Sequence, residues 1–545
     1  MDFQRVFLFF IFSFSVYLLW DGWQREQHPV PQVAAAASTP SVNQALAVVE
    51  KKAESAPSSV SAKQISLTGD QLVVNTDFFR AEINTIGGDI RRIELLKHFD
   101  TEDRNKPFVL LQQDVGHTYI AQSGLLGSGL PTHNTVFTSQ AKQYDLVDGK
   151  DTVIVRMTAS NDTGVKVTKV IVFHRSSYLI DVGYEVENLS TVKLESSAYF
   201  QLARDDIEPI GASKFVPTYT GPAIYTEQDK YQKIDFSSIA KNKATLPKAS
   251  DNGWAGMLQH YFVSAWLPKD KVTREFYAKK LENNLYSVGL VIPVMAIDPG
   301  KTGSIAVPLY VGPAQGSLDK IAPGLGLTVD YGFLTIIAKP IFWLLTLLND
   351  WVHNWGLAII ILTILIKLAF FPLSAASYRS MAKMRLVAPK LAKIKEQYSD
   401  DRERLNRAMM DLYKVEKINP LGGCLPVLVQ IPVFISLYWS ILASVEMRYA
   451  PFIGWISDLS RPDPYYVLPI IMGLSMLIQS KLNPTPPDPM QAKLMQIMPI
   501  AFSVVFFFFP VGLVLYSVVN NVLSIAQQWY ITRNTEAEAK GVAKV

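Results

Sequence analysis

Residues 419–438 read Asn-Pro-Leu-Gly-Gly-Cys-Leu-Pro-Val-Leu-Val-Gln-Ile-Pro-Val-Phe-Ile-Ser-Leu-Tyr. The stretch is apolar enough to enter a bilayer, yet it carries Pro420, Pro426 and Pro432, with Gln430 between the last two. Each proline inside a helix deletes a backbone hydrogen bond, so an ordinary soluble helix does not tolerate this many. A membrane helix does, when neighbouring helices or water satisfy the freed carbonyls. A span this irregular, holding a buried amide, is expected to face protein and water rather than lipid on all sides.

The rest of the chain is read around that span. Its 545 residues are enough for two or three folding units, and its apolar residues are concentrated in a few blocks. The net charge of +4 gives no reason to expect direct nucleic-acid recognition. Cys424 is the single cysteine, so a monomer has no disulfide and no cysteine-built metal site; no cofactor is expected.

Residues 1–23 hold an apolar run with no small-x-small cleavage site directly after it, and read as an uncleaved transmembrane signal anchor. Residues 24–63, rich in Ala, Ser, Pro, Val and Gln, read as a flexible linker. From 64 to 325 the pattern changes to period two, clearest at 152–158 and 165–172. Turn signals at Gly87-Gly88, Asp148-Gly149, Asn161-Asp162 and Asn283-Asn284 separate the runs. An all-β sandwich of about 250 residues is expected. It carries no evident catalytic constellation. His98, His117 and His133 lie near loops without a carboxylate or cysteine at ligand spacing and read as lone surface histidines. Tyr219, Tyr225 and Trp254 read as loop packing, with a groove as the alternative.

Residues 330–355 give one apolar face at helical spacing, interrupted by Lys339-Pro340, and fit an amphipathic helix lying in the membrane interface. A five-helix core follows over 356–532, with spans near 357–371, 420–442, 465–479, 495–509 and 511–528. The last two would form one helix of about 50 Å, longer than the roughly 30 Å hydrocarbon core, so a hairpin is placed at Pro510-Val511-Gly512. Residues 379–417 carry eleven basic against six acidic side chains. By the positive-inside rule they form a cytoplasmic helical hairpin, turning at 399–401. Counting crossings gives six transmembrane helices, both termini inside, a short tail over 533–545 and the β domain outside.

Lys367 is the sharpest single feature, a cation inside the span 357–371 with no aspartate or glutamate in any span to pair with it. A lysine at a helix centre costs on the order of 3 kcal/mol to insert. It either snorkels to the headgroups or faces a water-filled cavity that receives an anionic or polar guest. Thr363, Gln430, Ser436, Asn520 and Asn521 are further polar groups within spans and favour the cavity. The span 495–509 is short, about 22 Å, which thins the bilayer locally and lowers the cost of drawing polar segments across. Two functions compete on these residues: an insertase and membrane chaperone without covalent chemistry, or a secondary transporter using Lys367 as counter-charge to an anionic solute.

The stretches Asn419-Pro-Leu-Gly-Gly-Cys-Leu-Pro, Gln430-Ile-Pro-Val-Phe, Asp463-Pro-Tyr-Tyr-Val-Leu-Pro469, Met498-Pro499 and Phe509-Pro-Val-Gly-Leu-Val-Leu-Tyr516 closely resemble the YidC family of membrane protein insertases, in the form that has a large periplasmic domain. The resemblance implies a non-enzymatic protein of the bacterial inner membrane. Its core would form a hydrophilic groove open to the cytoplasm and to lipid, with Lys367 at the position of the family's single basic residue. It implies a contact line for nascent membrane proteins through Phe434, Met472 and Tyr516. It also implies a mutarotase-like sandwich lacking that chemistry, partnership with the Sec translocon, and contact of 379–417 with ribosomes and signal recognition components. The family more often has arginine at the basic position; lysine keeps the charge without the planar fork.

Overall fold

The computed structural model describes residues 69–539 and 541, except 102, 161–163, 210–218, 248, 317, 330, 332–333, 399–400, 417, 419–424 and 484–488. The expected anchor at 1–23, the linker at 24–63 and the first part of the proline-bearing stretch lie outside the described residues.

The described N-terminal half is a β-sandwich of two nine-stranded sheets. One sheet runs, in spatial order, Glu275–Lys280, Leu285–Ile297, Leu194–Asp205, His117–Leu126, Pro107–Asp114, Asp89–Phe99, Phe79–Asn84, Gln71–Asn75 and Gln143–Asp145. The other runs Lys230–Lys233, Gly221–Thr226, Trp254–Gln259, Phe262–Trp266, Thr302–Pro313, Leu179–Asn188, Val165–His174, Thr152–Ser160 and Thr138–Ser139. The alternation seen in the sequence supplies the core. Val153, Val155 and Met157 on one strand, and Val167, Ile171 and Phe173 on its neighbour, point inward against Phe79, Ile93 and Phe200 of the facing sheet.

That same alternation drives a charge inside. Lys169 holds an inward position and is 1% exposed. Its Nζ donates to Gly87 O at 2.8 Å and lies over the Tyr184 ring. Asp89, also 1% exposed, faces it and accepts from Gln122 Nε2 at 2.8 Å. Burial holds the Asp89 carboxyl up at about 6 and the Lys169 ammonium down at about 8, each against the attraction of the other.

The histidines depart from expectation. None of the three is a lone surface group. His117 Nδ1 sits 2.8 Å from Asp205 Oδ2, His98 Nε2 is 2.8 Å from the Tyr178 hydroxyl, and His133 Nδ1 is 2.5 Å from that of Tyr199. The partners are 66 to 88 residues away along the chain, so local spacing cannot find them. Around Trp254, packing prevails: its ring is buried, stacks on Tyr225 and donates Nε1–H to Pro323 O.

Eight helices follow: α1 (Thr335–Val352), α2 (Trp355–Ala369), α3 (Phe371–Gln397), α4 (Arg402–Val415), α5 (Leu425–Ala443), α6 (Val467–Leu482), α7 (Pro489–Phe506) and α8 (Val511–Ala539). Of these, α1 is long and apolar enough by itself to cross a membrane, and α2 with α3 forms a pair bent by 66°. His353, at φ 52°, ends α1, and Asn354 caps α2 by accepting from Leu357 N at 3.0 Å. The prolines resolve as helix physics requires: Pro426 falls in the first turn of α5, where its missing N–H costs nothing, and only Pro432 sits inside. Leu345, Leu348, Ile359, Leu362, Leu437, Ile441, Leu513 and Val514 form the bundle's core. In the hairpin, Asp401 caps α4, and Val387, Leu391, Tyr413 and Ile418 are the buried seam. Val415 is exposed, whereas Tyr413 packs into the seam.

The loop between α5 and α6 clasps the sandwich. Val445 belongs to the sandwich core, whereas Met447 belongs to the helical core. Between Phe108, Tyr261 and Tyr449, the Arg448 guanidinium lies 5.4–5.9 Å from each ring centroid and donates to Phe99 O at 3.2 Å. His260 Nε2 is 2.9 Å from Leu442 O. A charged hydrogen bond held among aromatic faces contributes about 1.5–3 kcal/mol. Arg448→Ala is therefore expected to leave both folds intact and raise amide exchange over residues 445–461 by about tenfold or more. Unchanged exchange there, measured by mass spectrometry, removes the clasp from the account.

Candidate functional site

In the half of the bundle remote from the sandwich, the helices leave a cavity of about 440 Å³. α2 contributes Lys367, α3 Tyr378, and α5 Gln430, Ile431 and Phe434. α6 and its end contribute Met472, Met476, Gln479, Ser480 and Asn483; α7 contributes Met498, Pro499, Phe502 and Phe506; α8 contributes Tyr516, Ser517, Asn520, Asn521 and Ser524. Polar side chains gather near Lys367, and thioethers and aromatic rings line the rest. Unbranched methionines adapt to guests of varied shape, which a rigid apolar wall does not.

Lys367 stands in the last turn of α2, two residues before the bend. The helix C-terminus carries partial negative charge, which favours a cation there. The side chain is 8% exposed, and Nζ donates to Ser524 Oγ at 2.6 Å. Ser524 Oγ in turn donates to Asn520 O at 2.7 Å. Among the described residues no carboxylate lies within ion-pair distance of Lys367. Gln430 Nε2 donates to the Tyr516 hydroxyl, and the Tyr516 ring lies 6.3 Å from that of Phe434. Asn521 Nδ2 donates to Ser475 Oγ at 3.2 Å and touches Met472 Sδ at 3.5 Å.

The cavity thus gathers Lys367, Gln430, Asn520 and Asn521 with Phe434, Met472 and Tyr516. Thr363 and Ser436 stay outside it. Thr363 is fully buried and spends its hydroxyl on Ile359 O, 2.6 Å away in its own helix. Ser436 is buried too, with its Oγ unpartnered in the helical packing. Both were chosen for polarity alone, and polarity does not say which way a helix is turned. Tyr378, Gln479, Ser480, Asn483 and Ser517 line the cavity without having been singled out. Gln479, Ser480 and Asn483 cluster where α6 ends, a composition shift readable in the sequence. Tyr378 comes in only because of the bend after α2. Among the described residues no three His, Cys, Asp or Glu side chains converge as metal ligands.

Comparison with known proteins bears on the family of the chain. Residues 71–344 match the YidC periplasmic domain family and residues 347–538 the 60Kd inner membrane protein family. A protein from Nitrosospira multiformis named Membrane protein insertase YidC is 55% identical over 564 residues, covering 100% of this chain and 99% of that relative. A protein of the same name from Methylobacillus flagellatus is 54% identical and covers 100% of both. A solved structure of an active YidC insertase aligns over 90% of this chain and 98% of that one, at 17% identity and a TM-score of 0.39, so the assignment rests on the sequence matches. Two family matches that together span most of the chain, and relatives matched end to end at over half identity, place this chain in the YidC family of membrane protein insertases.

Proposed function

We propose that this inner-membrane insertase receives nascent membrane proteins in the cavity at Lys367, and that Phe434, Met472 and Tyr516 form the apolar line along which a hydrophobic segment leaves for the bilayer. The single observation that carries the reading is the buried cation that, among the described residues, is held by a hydroxyl and no carboxylate, in a chamber otherwise lined by neutral polar groups, thioethers and rings. A polar or acidic segment gains there what lipid denies it, and an apolar segment finds the methionines and aromatics beside it. Gln430, Asn520 and Asn521 serve as neutral hydrogen-bonding groups in the chamber.

Six spans with both termini cytoplasmic and the sandwich periplasmic remain our topology. Support comes from where α1 begins and ends. It leaves the sandwich, to which Lys339 reaches through Asp319 at 3.9 Å, and its first turn receives the Ser440 hydroxyl from near the far end of α5 at Ala338 O. It stops at α2, whose cap Asn354 meets Phe452 of the same loop that clasps the sandwich. A helix whose two ends lie on one side of a bundle does not cross it. Length and composition would allow α1 to span, but they do not register this; we read it as interfacial, over 330–355. The basic hairpin at 379–417 then faces the cytoplasm, where it would meet ribosomes and signal recognition components, and the core can work alone or beside the Sec translocon.

Photo-crosslinkers at positions 430 and 516 should capture ribosome-stalled nascent membrane proteins, with yields well above one placed at exposed Val415. Equal yields at all three positions, or none at 430 and 516, would remove the cavity from the pathway.

A further inference from the structure

A second cavity, of about 410 Å³, lies where α1 leaves the sandwich. Its wall includes Lys233 and Tyr231 from the sandwich strand Lys230–Lys233, Tyr331 and Thr335 at the entrance to α1, and Lys339 one turn further on. Nothing in the insertion pathway uses it. Two cations share this opening, and Asp319 lies 3.9 Å from Lys339 and also accepts from Gly326 N at 3.0 Å.

A second observation says what the opening faces. Along α1, Ile336, Trp343, Leu347 and Trp351 are exposed, Ile336 at 89%, while Ala338, Leu345 and Leu348 are buried against the bundle. Their separations of four, seven, eight and eleven residues make one outward apolar stripe. Lys339 falls within it, three residues after Ile336 and four before Trp343. An apolar stripe with tryptophans beds into acyl chains just below the headgroups, and a lysine inside it extends its stem so that the ammonium rises to the phosphates. Lys233 approaches the same level from the sandwich side; its Nζ lies 5.0 Å from the Tyr219 ring centroid, over its face.

We propose that this opening is a binding site for the phosphodiester headgroup of an anionic membrane lipid, held between Lys233 and Lys339. The inference rests on the interfacial reading of α1. A bound lipid would tie the sandwich to the membrane surface at the root of α1.

The test uses the full-length protein in nanodiscs of phosphatidylcholine with and without phosphatidylglycerol. Wild type should retain phosphatidylglycerol selectively when extracted and its lipids counted by mass spectrometry. Lys233→Gln and Lys339→Gln should each lower that selectivity about fivefold, the contribution of one lysine near an anionic surface, and the double variant more. Lys339→Arg should restore it. Inorganic phosphate and glycerol phosphate should not displace the lipid. Undiminished selectivity in the double variant overturns the site, and displacement by inorganic phosphate makes it a free-anion site instead. Quenching of Trp343 and Trp351 by brominated lipid, read against Trp343→Phe and Trp351→Phe, tests α1 separately. Absent quenching defeats the interfacial placement, whereas quenching with undiminished selectivity defeats the headgroup site alone.

Discussion

Lys367→Glu is expected to cut insertion of substrates with acidic translocated segments by tenfold or more, while Lys367→Arg retains most of it. The physical reason is the sign of one charge in a confined chamber. Two unit charges about 4 Å apart interact by about 4 kcal/mol at an effective dielectric of about 20. A third of that, after water in the cavity has screened the rest, is still about tenfold. Ser524 makes the prediction more specific. Its hydroxyl accepts from Lys367 and donates to Asn520 O, so it fixes where the ammonium stands. An arginine reaches the same oxygen with a broader head and keeps the charge. The check is protease protection of substrates carrying acidic, neutral or basic tails, in cells relying on each variant. Equal insertion with Lys, Arg, Ala and Glu at position 367 would return this residue to a snorkelling lysine without a role.

Lys169→Met is expected to destabilise the sandwich by about 1–3 kcal/mol between pH 7 and pH 8, the cost of a buried carboxyl that must ionise, or stay protonated, without its partner. Its pH dependence gives the cause away. In the native protein burial raises the Asp89 carboxyl to about 6, and Lys169 is the strongest influence pulling it back down. Without the ammonium, the folded-state value climbs further above the ordinary 3.8 of the unfolded chain. An acid with a raised folded-state pKa costs stability above that value and nothing below the unfolded one. Measured against the wild type, the loss is therefore full only above the variant's raised value, shrinks as pH falls from there toward the wild-type value of about 6, and is gone below it. Hydrogen exchange over Asp89–Phe99 and Val165–His174 reads it in the intact chain. A loss equally large at pH 5 and pH 8 would mean that packing, not charge, is what Lys169 supplies.

Much of this architecture was legible because one-dimensional patterns survive folding. Alternation at 165–172 became the strand Val165–His174, and the break at Pro510 became the gap between α7 and α8. A charged side chain absent from all other spans marked Lys367 without any knowledge of its neighbours. The patterns misled where they record only residue type. Thr363 was grouped with Asn520 and Asn521 for its hydroxyl, yet its helix turns it to Ile359 O. Lys169 kept the strand's period and vanished into an apparently ordinary run, because period two reports the face and not the partner waiting there.

The sequence by itself determined that a β-sandwich domain joins a set of apolar helices holding one uncompensated cation and a basic hairpin, since periodicity, charge asymmetry and the cost of burying charge act along the chain. Only the tertiary structure decided that the cation stands at the bend between α2 and α3, that Tyr378 and Asn483 share its chamber, and that Arg448 binds the helices to the sandwich. Those facts depend on helix rotation and on contacts between residues tens to hundreds of positions apart, and no local pattern encodes either.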